Sequence, residues 1–463
     1  MRPWVERAVI VGGAGYLLVT GWAMTHLRYD LWGALLIIPV IIAVTPAMLR
    51  RAFGREHPEL IPILLGGLLV KLVGCFVRYQ VAFEAYGGAS DAQQYHEAGA
   101  ILAEKIRSGQ STLFAAVPRE TGTAFIKTLT GDIYAIFGSS RLAGFMIFGF
   151  FGYWGALYFL RAAMVAVPGL HVRRYAVLLC FLPTMVYWPS SIGKEAWMCL
   201  SLGYATYGGA QILVGGVRAR AVVTTIVGLI GASFVRPHFG VIWAGALVAG
   251  LIAGLFSGVG NRGRQSRSAI FVLVLVAVAG LSLVAAVTLK FLSPKNDDGT
   301  TTTVTDRISE IFDKAEVNTD QGGSSFTVIP IDSPRDMPYA IYRTLTRPLL
   351  NEARSFAELL PAVEMTALLA WGLFAWRRLW MFVRTLVRTP YLMFCVVVFV
   401  MFGVAFTSIG NLGILTRQRS LVMPLFVVPL CLPIWRGRTD PTADGVLQGA
   451  DERGRPVAVT GRG

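Results

Sequence analysis

Apolar runs of about 20 residues, the length that crosses roughly 30 Å of hydrocarbon, recur from one end of this chain to the other. A helix that is apolar over most of its surface needs an apolar solvent. Twelve such segments can be marked: Ala8 to Met24, Asp30 to Leu49, Leu60 to Val77, Leu142 to Leu160, Tyr175 to Tyr187, Ala196 to Val214, Ala221 to Phe234, Gly240 to Phe256, Ala269 to Leu289, Pro361 to Trp376, Tyr391 to Phe406, and Leu421 to Trp435. Hydrophobic residues make up 54% of the chain and charged ones only 15%, with a mean hydropathy of +0.58, well outside the balance of a soluble domain. The expectation is an all-α, polytopic integral membrane protein with about 12 transmembrane helices. A single membrane domain fills residues 1–436, followed by a polar tail over 437–463 that reads as disordered. The first run follows Met1-Arg2-Pro3-Trp4-Val5-Glu6-Arg7 without a small-residue cleavage site, so it reads as a retained anchor.

A formal charge of +15 invites a nucleic-acid reading, but the cations sit in short clusters between apolar runs, not on an aromatic-studded basic face. No nucleic-acid partner is expected. The clusters behave as topology signals, because cytoplasmic loops carry an excess of Lys and Arg. With the N-terminus inside, the inner connections hold Arg50, Arg51 and Arg55; Arg161, Arg173 and Arg174; Arg218 and Arg220; Arg262, Arg264 and Arg267; and Arg377, Arg378, Arg384 and Arg388. Both termini are then cytoplasmic. The five cysteines all fall in apolar runs with no CxxC or Cys/His spacing, which indicates neither a disulfide framework nor a zinc site.

The opposite side mixes acids with bases. It comprises the stretch from Arg78 to Arg141, turns at Lys194 and Arg236, a long polar loop over 291–355, and the turn from Ser408 to Ser420. In its first part, Ser90-Asp91-Ala92-Gln93-Gln94-Tyr95-His96-Glu97 reads as a helix start with Ser90 as N-cap and four-residue pairs Asp91/Tyr95 and Gln93/Glu97. Asp91 is a candidate general base toward a hydroxyl or a ligand for a divalent ion, and His96 is a second candidate base near neutral pH. A solvated amphipathic connector is the plainer alternative.

Ser190-Ser191-Ile192-Gly193-Lys194-Glu195 opens the sixth segment, where the positive end of a helix dipole suits an anion. It is no P-loop, since GxxxxGK[ST] is absent; an interfacial charge pair is the simpler alternative. Arg236 and His238 share a tight turn near membrane depth, where ionisable groups are costly and mark sites. A guanidinium also offers a planar donor fork to phosphate, against the alternative of structural capping. Arg347 and Glu352 close the long loop, and Arg417 and Arg419 break the rule that depletes outer arginines. Lys71, inside the third segment, lies one heptad before Arg78 and is a candidate to line a path for a lipid diphosphate; snorkelling accounts for Arg78 more readily than for Lys71.

These motifs together resemble bacterial membrane polysaccharide polymerases of the O-antigen polymerase and EpsG type, relatives of the lipid-carrier-dependent GT-C glycosyltransferases. The resemblance rests on Ser90 to His96, Ser190 to Glu195, Arg347-Pro348 with Glu352, and Asn411 to Arg419, spread along a many-helix frame. It implies a GT-C-like fold in the bacterial plasma membrane and transfer on the extracytoplasmic face. The implied partner is a polyprenyl-diphosphate-linked glycan, with membrane lipids and envelope-assembly proteins around it, and no nucleotide sugar. The first outer loop lacks the paired acids common in metal-using GT-C enzymes, so no cofactor is assigned and a divalent metal stays open. Asp91, His96 and Glu195 are the catalytic candidates. Lys71, Lys194, Arg236, His238, Arg347, Glu352, Arg417 and Arg419 are the substrate-binding ones. The alternative from another class is a transporter or flippase of a lipid-linked or anionic solute, which calls for polar residues along whole helices and on the inner face. A third is a non-catalytic subunit of an envelope assembly machine.

Overall fold

The computed structural model describes residues 3–85, 87, 90–114, 121–256, 335–353 and 356–434. The segment Ala269 to Leu289, most of the 291–355 loop and the 437–463 tail lie outside the described residues. Regular structure among the described residues is helical, with no β-strand.

In chain order the principal helices are α1 (Pro3–His26), α2 (Ala34–Phe53), α3 (Ile61–Gln80), α4 (Asp91–Arg107), α5 (Thr123–Phe137), α6 (Arg141–Ala166), α7 (Val172–Phe181) and α8 (Pro183–Tyr187). They continue as α9 (Lys194–Gly215), α10 (Ala219–Val235), α11 (Pro237–Phe256), α12 (Met337–Thr346), α13 (Phe356–Phe374), α14 (Trp376–Thr385), α15 (Pro390–Ala405), α16 (Leu412–Arg419) and α17 (Met423–Phe426). By length and composition four spans can cross a membrane: Tyr29–Phe53, Pro58–Ala85, Arg141–Ala166 and Pro237–Gly254. Two bent pairs, α13 with α14 at 79° and α16 with the helical stretch to Cys431 at 69°, raise the number to six.

Several expected segments take other forms. Tyr175 to Tyr187 is broken at Leu182, whose extended backbone separates α7 from α8. Pro183 lacks the N–H that would continue the ladder. The helices over Ala221 to Phe234 and Tyr391 to Phe406 have 17 and 16 residues, roughly 25 Å of rise each. Leu421 to Trp435 holds only the short α17 and a 3₁₀ turn at Pro429–Cys431 among its described residues.

The core is built by close approach of small residues. A Cβ at Gly155 of α6 would overlap the Cys199 carbonyl of α9, and one at Gly203 would overlap the Gly155 oxygen. The two helices therefore run side by side at backbone contact, the mode that small residues permit in apolar surroundings. Gly228 does the same for α10 against Ala205. Because α6 and α9 start at the same end and α10 runs back beside α9, the start of α9, the end of α10 and the start of α11 share one end of the bundle. At that end Gly122 N donates to Phe234 O at 2.7 Å, Phe125 stacks on Phe234 and Trp197 Nε1 donates to Gly231 O at 2.8 Å. These contacts fix the turn that carries Arg236.

Candidate functional site

Four chain segments deliver one charged cluster to that end. Helix α4 begins at Asp91 after Ser90, whose extended backbone is that of an N-cap although its hydroxyl caps nothing. Helix α9 begins at Lys194, so Glu195 lies in its first turn, where the partial positive charge of the helix end favours a carboxylate. Arg236 is the linker between α10 and α11. Arg417 projects from α16, whose start is fixed by Asn411 Oδ1 accepting from Ile414 N at 3.1 Å.

Glu195 is the hub. Its Oε1 accepts from Arg236 Nη2 at 2.7 Å and lies 2.6 Å from Arg417 Nε. Arg417 Nη1 in turn donates to Asp91 Oδ2 at 2.7 Å. Exposure divides the two acids: the Glu195 side chain is 3% exposed and that of Asp91 52%. Glu195 thus holds two arginines in place, whereas Asp91 keeps half its surface open. Lys194 lies within electrostatic reach of Asp91, Glu195, Arg236 and Arg417. Tyr95, one helical turn beyond Asp91, has its phenol pushed up to about 12, by burial first and then by the Asp91 charge. Arg236 is buried, and its Nη1 has no hydrogen-bond partner among the described residues. A buried donor without a partner costs free energy, so the cluster retains an unsatisfied preference for an anionic oxygen.

His238 borders the cluster within electrostatic reach of Arg236, and the remaining candidates lie elsewhere. His238 packs its ring between Phe239 and Phe406, and its Nε2 has no partner among the described residues. His96 shares α4 with Asp91 but faces a different group: its Nδ1 meets Tyr134 Oη at 2.9 Å and its Nε2 lies 4.0 Å from Asp30 Oδ1. Burial, helped by the nearby Arg141, depresses its pKa. Glu352 is gripped locally by Arg343 and by Arg347 Nε at 2.8 Å, and it accepts from Leu349 N at 2.9 Å. Arg419 is fully buried and donates to the Arg347 carbonyl.

Lys71 is sealed in the interior, where its Nζ donates to Met185 O at 2.7 Å. It satisfies a carbonyl of the short α8, and Arg78 braces the same helix through Tyr187 Oη at 2.6 Å. Their shared face therefore supports a broken helix.

Four polar residues escaped the sequence reading. Asp30 and Arg141, 3.8 Å apart, flank His96. Glu364 accepts from Thr184 N at 2.6 Å, and Arg343 joins Glu352. A carboxylate inside the apolar run Pro361 to Trp376 is itself a signal, which Glu364 carried. Among the described residues no group of three or more His, Cys, Asp or Glu side chains is placed to hold a metal ion. No protein-family model, curated protein or solved structure matches the chain.

Proposed function

We propose that the chain is a polytopic, GT-C-like enzyme of the bacterial plasma membrane that transfers or polymerises sugars from a polyprenyl-diphosphate carrier on the outer face. About 12 spans and cytoplasmic termini complete the reading. The observation that carries it is the convergence of Asp91, Glu195, Arg236 and Arg417 from four distant segments. A surface that only needed solubility would have no reason to set two arginines on one buried carboxylate.

The chemistry follows from the exposure of each group. An acceptor hydroxyl oxygen attacks the anomeric carbon, its proton passes to the half-open Asp91, and the bond from that carbon to the diphosphate oxygen breaks. The leaving diphosphate gains negative charge, and fixed cations lower the cost of that charge. Arg236, with a free buried donor, and Arg417 meet this need, with Lys194 beside them. Arg417 is shared between Asp91 and Glu195. An incoming diphosphate therefore competes with Asp91 for the same guanidinium and releases the carboxylate as a base. Glu195 positions the arginines and takes no proton in this scheme.

The test is reconstitution of the purified protein with polyprenyl-diphosphate-linked glycans and analysis of the products. Longer or transferred glycans are expected, and Asp91→Ala and Arg236→Ala should abolish them. Unchanged activity in both variants would sink the site, and a requirement for nucleotide sugar would sink the donor class. Movement of intact glycolipid across the vesicle without bond transfer would favour a flippase.

A further inference from the structure

A cavity of about 320 Å³ opens beside α4, where Gln93 lines it. It falls at the lower end of the roughly 300–1,000 Å³ range of small-molecule sites. Its charges balance: Arg28 and Arg141 line it together with Asp30 and Glu84. Such a lining gives no preference for an anion, in contrast to the cation-rich cluster at Glu195.

Tyr79 and Phe83 supply an apolar wall. Their rings pack on each other at 4.9 Å, and the Arg141 guanidinium lies 4.9 Å over Phe83. Two buried polar atoms of the lining have no hydrogen-bond partner among the described residues: Gln93 Oε1, an acceptor, and Arg141 Nε, a donor. Gln93 Nε2 is already spent on Glu97, which leaves its carbonyl oxygen as the unpaired group of the amide. The pocket is braced from below, since Ser140 Oγ donates to Asp30 O at 3.0 Å and Arg141 N to Asp30 Oδ1 at 3.4 Å.

A ligand for this lining must be uncharged overall, must carry groups that donate and accept, and must offer an apolar face to the rings. A sugar ring has all three properties, because each hydroxyl is donor and acceptor at once and its C–H face is apolar. We propose that this cavity is a subsite for an uncharged sugar residue of the acceptor glycan. The inference rests on the transferase reading above. Gln93 stands two residues beyond Asp91 on α4, so the cavity adjoins the helix start that carries the base, although the two side chains leave the helix on different faces.

The experiment uses the full-length protein in lipid nanodiscs. Its probe is the glycan freed by mild acid from the polyprenyl-diphosphate-linked preparation of the transfer assay, stripped of lipid and phosphate. Equilibrium dialysis should show binding that inorganic pyrophosphate does not displace. Gln93→Leu and Phe83→Ala should each weaken it about tenfold, the scale of one lost buried contact. Phe83→Tyr, which keeps the ring, should retain it. Gln93→Leu and Phe83→Tyr should unfold at the wild-type temperature. Phe83→Ala, which loses packing on Tyr79 and Phe145, should unfold at a lower temperature but stay folded at that of the assay. Wild-type affinity in both weakening variants, or displacement by pyrophosphate, would overturn the subsite. Loss of glycan binding in those variants from a protein that transfers no sugar would leave the subsite standing and remove the transferase. Transfer with binding indifferent to both variants would remove the subsite alone.

Discussion

Two carboxylates in this molecule each hold a pair of arginines, and they do so by opposite routes. Glu352 recruits Arg343 and Arg347, nine and five residues away, and adds the Leu349 backbone N–H. The cluster is a local corner that the chain makes as soon as α12 ends. Glu195 recruits Arg236, 41 residues away, and Arg417, which itself holds Asp91 across 326 residues of chain. Nothing local favours that assembly, which forms only when α4, α9, the α10–α11 turn and α16 are all in place. A short-range cluster caps structure, and a long-range one welds elements together and concentrates charge at a site.

The sharpest way to break this comparison is to remove the hub. Glu195→Ala leaves the buried Arg236 without its carboxylate and Arg417 with Asp91 alone, a change expected to cost about 3–5 kcal/mol. Thermal unfolding of the purified protein in detergent should drop by more than in Glu352→Ala. Equal shifts would mean that the distant cluster is no more integrated than the local one.

Asp91→Asn should do the reverse. Its pair with Arg417 is half exposed, and such pairs contribute about 0–1 kcal/mol, so the unfolding temperature should barely move. Sugar transfer should fall about 100-fold or more, the scale of a lost general base. A variant that transfers at wild-type rate would reduce Asp91 to an ion-pair partner.

The contrast also explains what could be read from the sequence. Lys194, Glu195 and Arg236 stood out because ionisable groups next to apolar runs are expensive, and Arg417 because it broke the inside rule for arginine. Those signals depend on composition near membrane depth, which a sequence displays directly. Which of them meet is a tertiary property that no spacing encodes. Arg419, two residues from Arg417, turns to the Arg347 carbonyl, and His96, five residues from Asp91, turns to Tyr134. Lys71 carried the same signal as Arg236 yet serves a helix break. The break itself was legible as Pro183, but it was subsumed in one continuous apolar run. Asp30 was hidden because it stood at the edge of a segment and read as its boundary.

Glu352 sharpens the comparison from its local side. Burial opposes its ionisation, but the Leu349 N–H and the Arg347 and Arg343 guanidinium groups more than offset this and hold its pKa below the ordinary 4.5. A carboxylate depressed in the folded state contributes stability above its unfolded pKa and loses it as pH falls through the folded one. Stability should therefore decline from about pH 4.5 downward. Glu352→Gln should lower stability near pH 7 by about 1.5–3 kcal/mol, the range for hydrogen bonds to a charged group. Its deficit relative to wild type should shrink below pH 4.5 in acid-titrated unfolding scans. A deficit that stays constant with pH would mean that packing, not charge, is what Glu352 supplies.

His96 gives the smallest effect and the cleanest separation in pH. Burial depresses its pKa from 6.5, with Arg141 adding to that and Asp30 opposing it. The folded protein therefore holds the ring neutral against Tyr134 while the unfolded chain takes up a proton near pH 6.5. Protonation of the unfolded state draws the equilibrium away from the fold. The contribution is level above pH 6.5, declines as pH falls from there through the folded pKa, and is level again below it. Tyr134→Phe, which removes the 2.9 Å contact, should cost about 1 kcal/mol. His96→Gln should remove the decline that begins near pH 6.5 while leaving the Glu352 window near pH 4.5 untouched. Unfolding scans of the two variants against wild type at half-unit steps from pH 8 to pH 4 measure both. A difference curve for His96→Gln that is flat across that range would show that the ring meets the same environment folded and unfolded, which its burial beside Asp30 and Arg141 forbids.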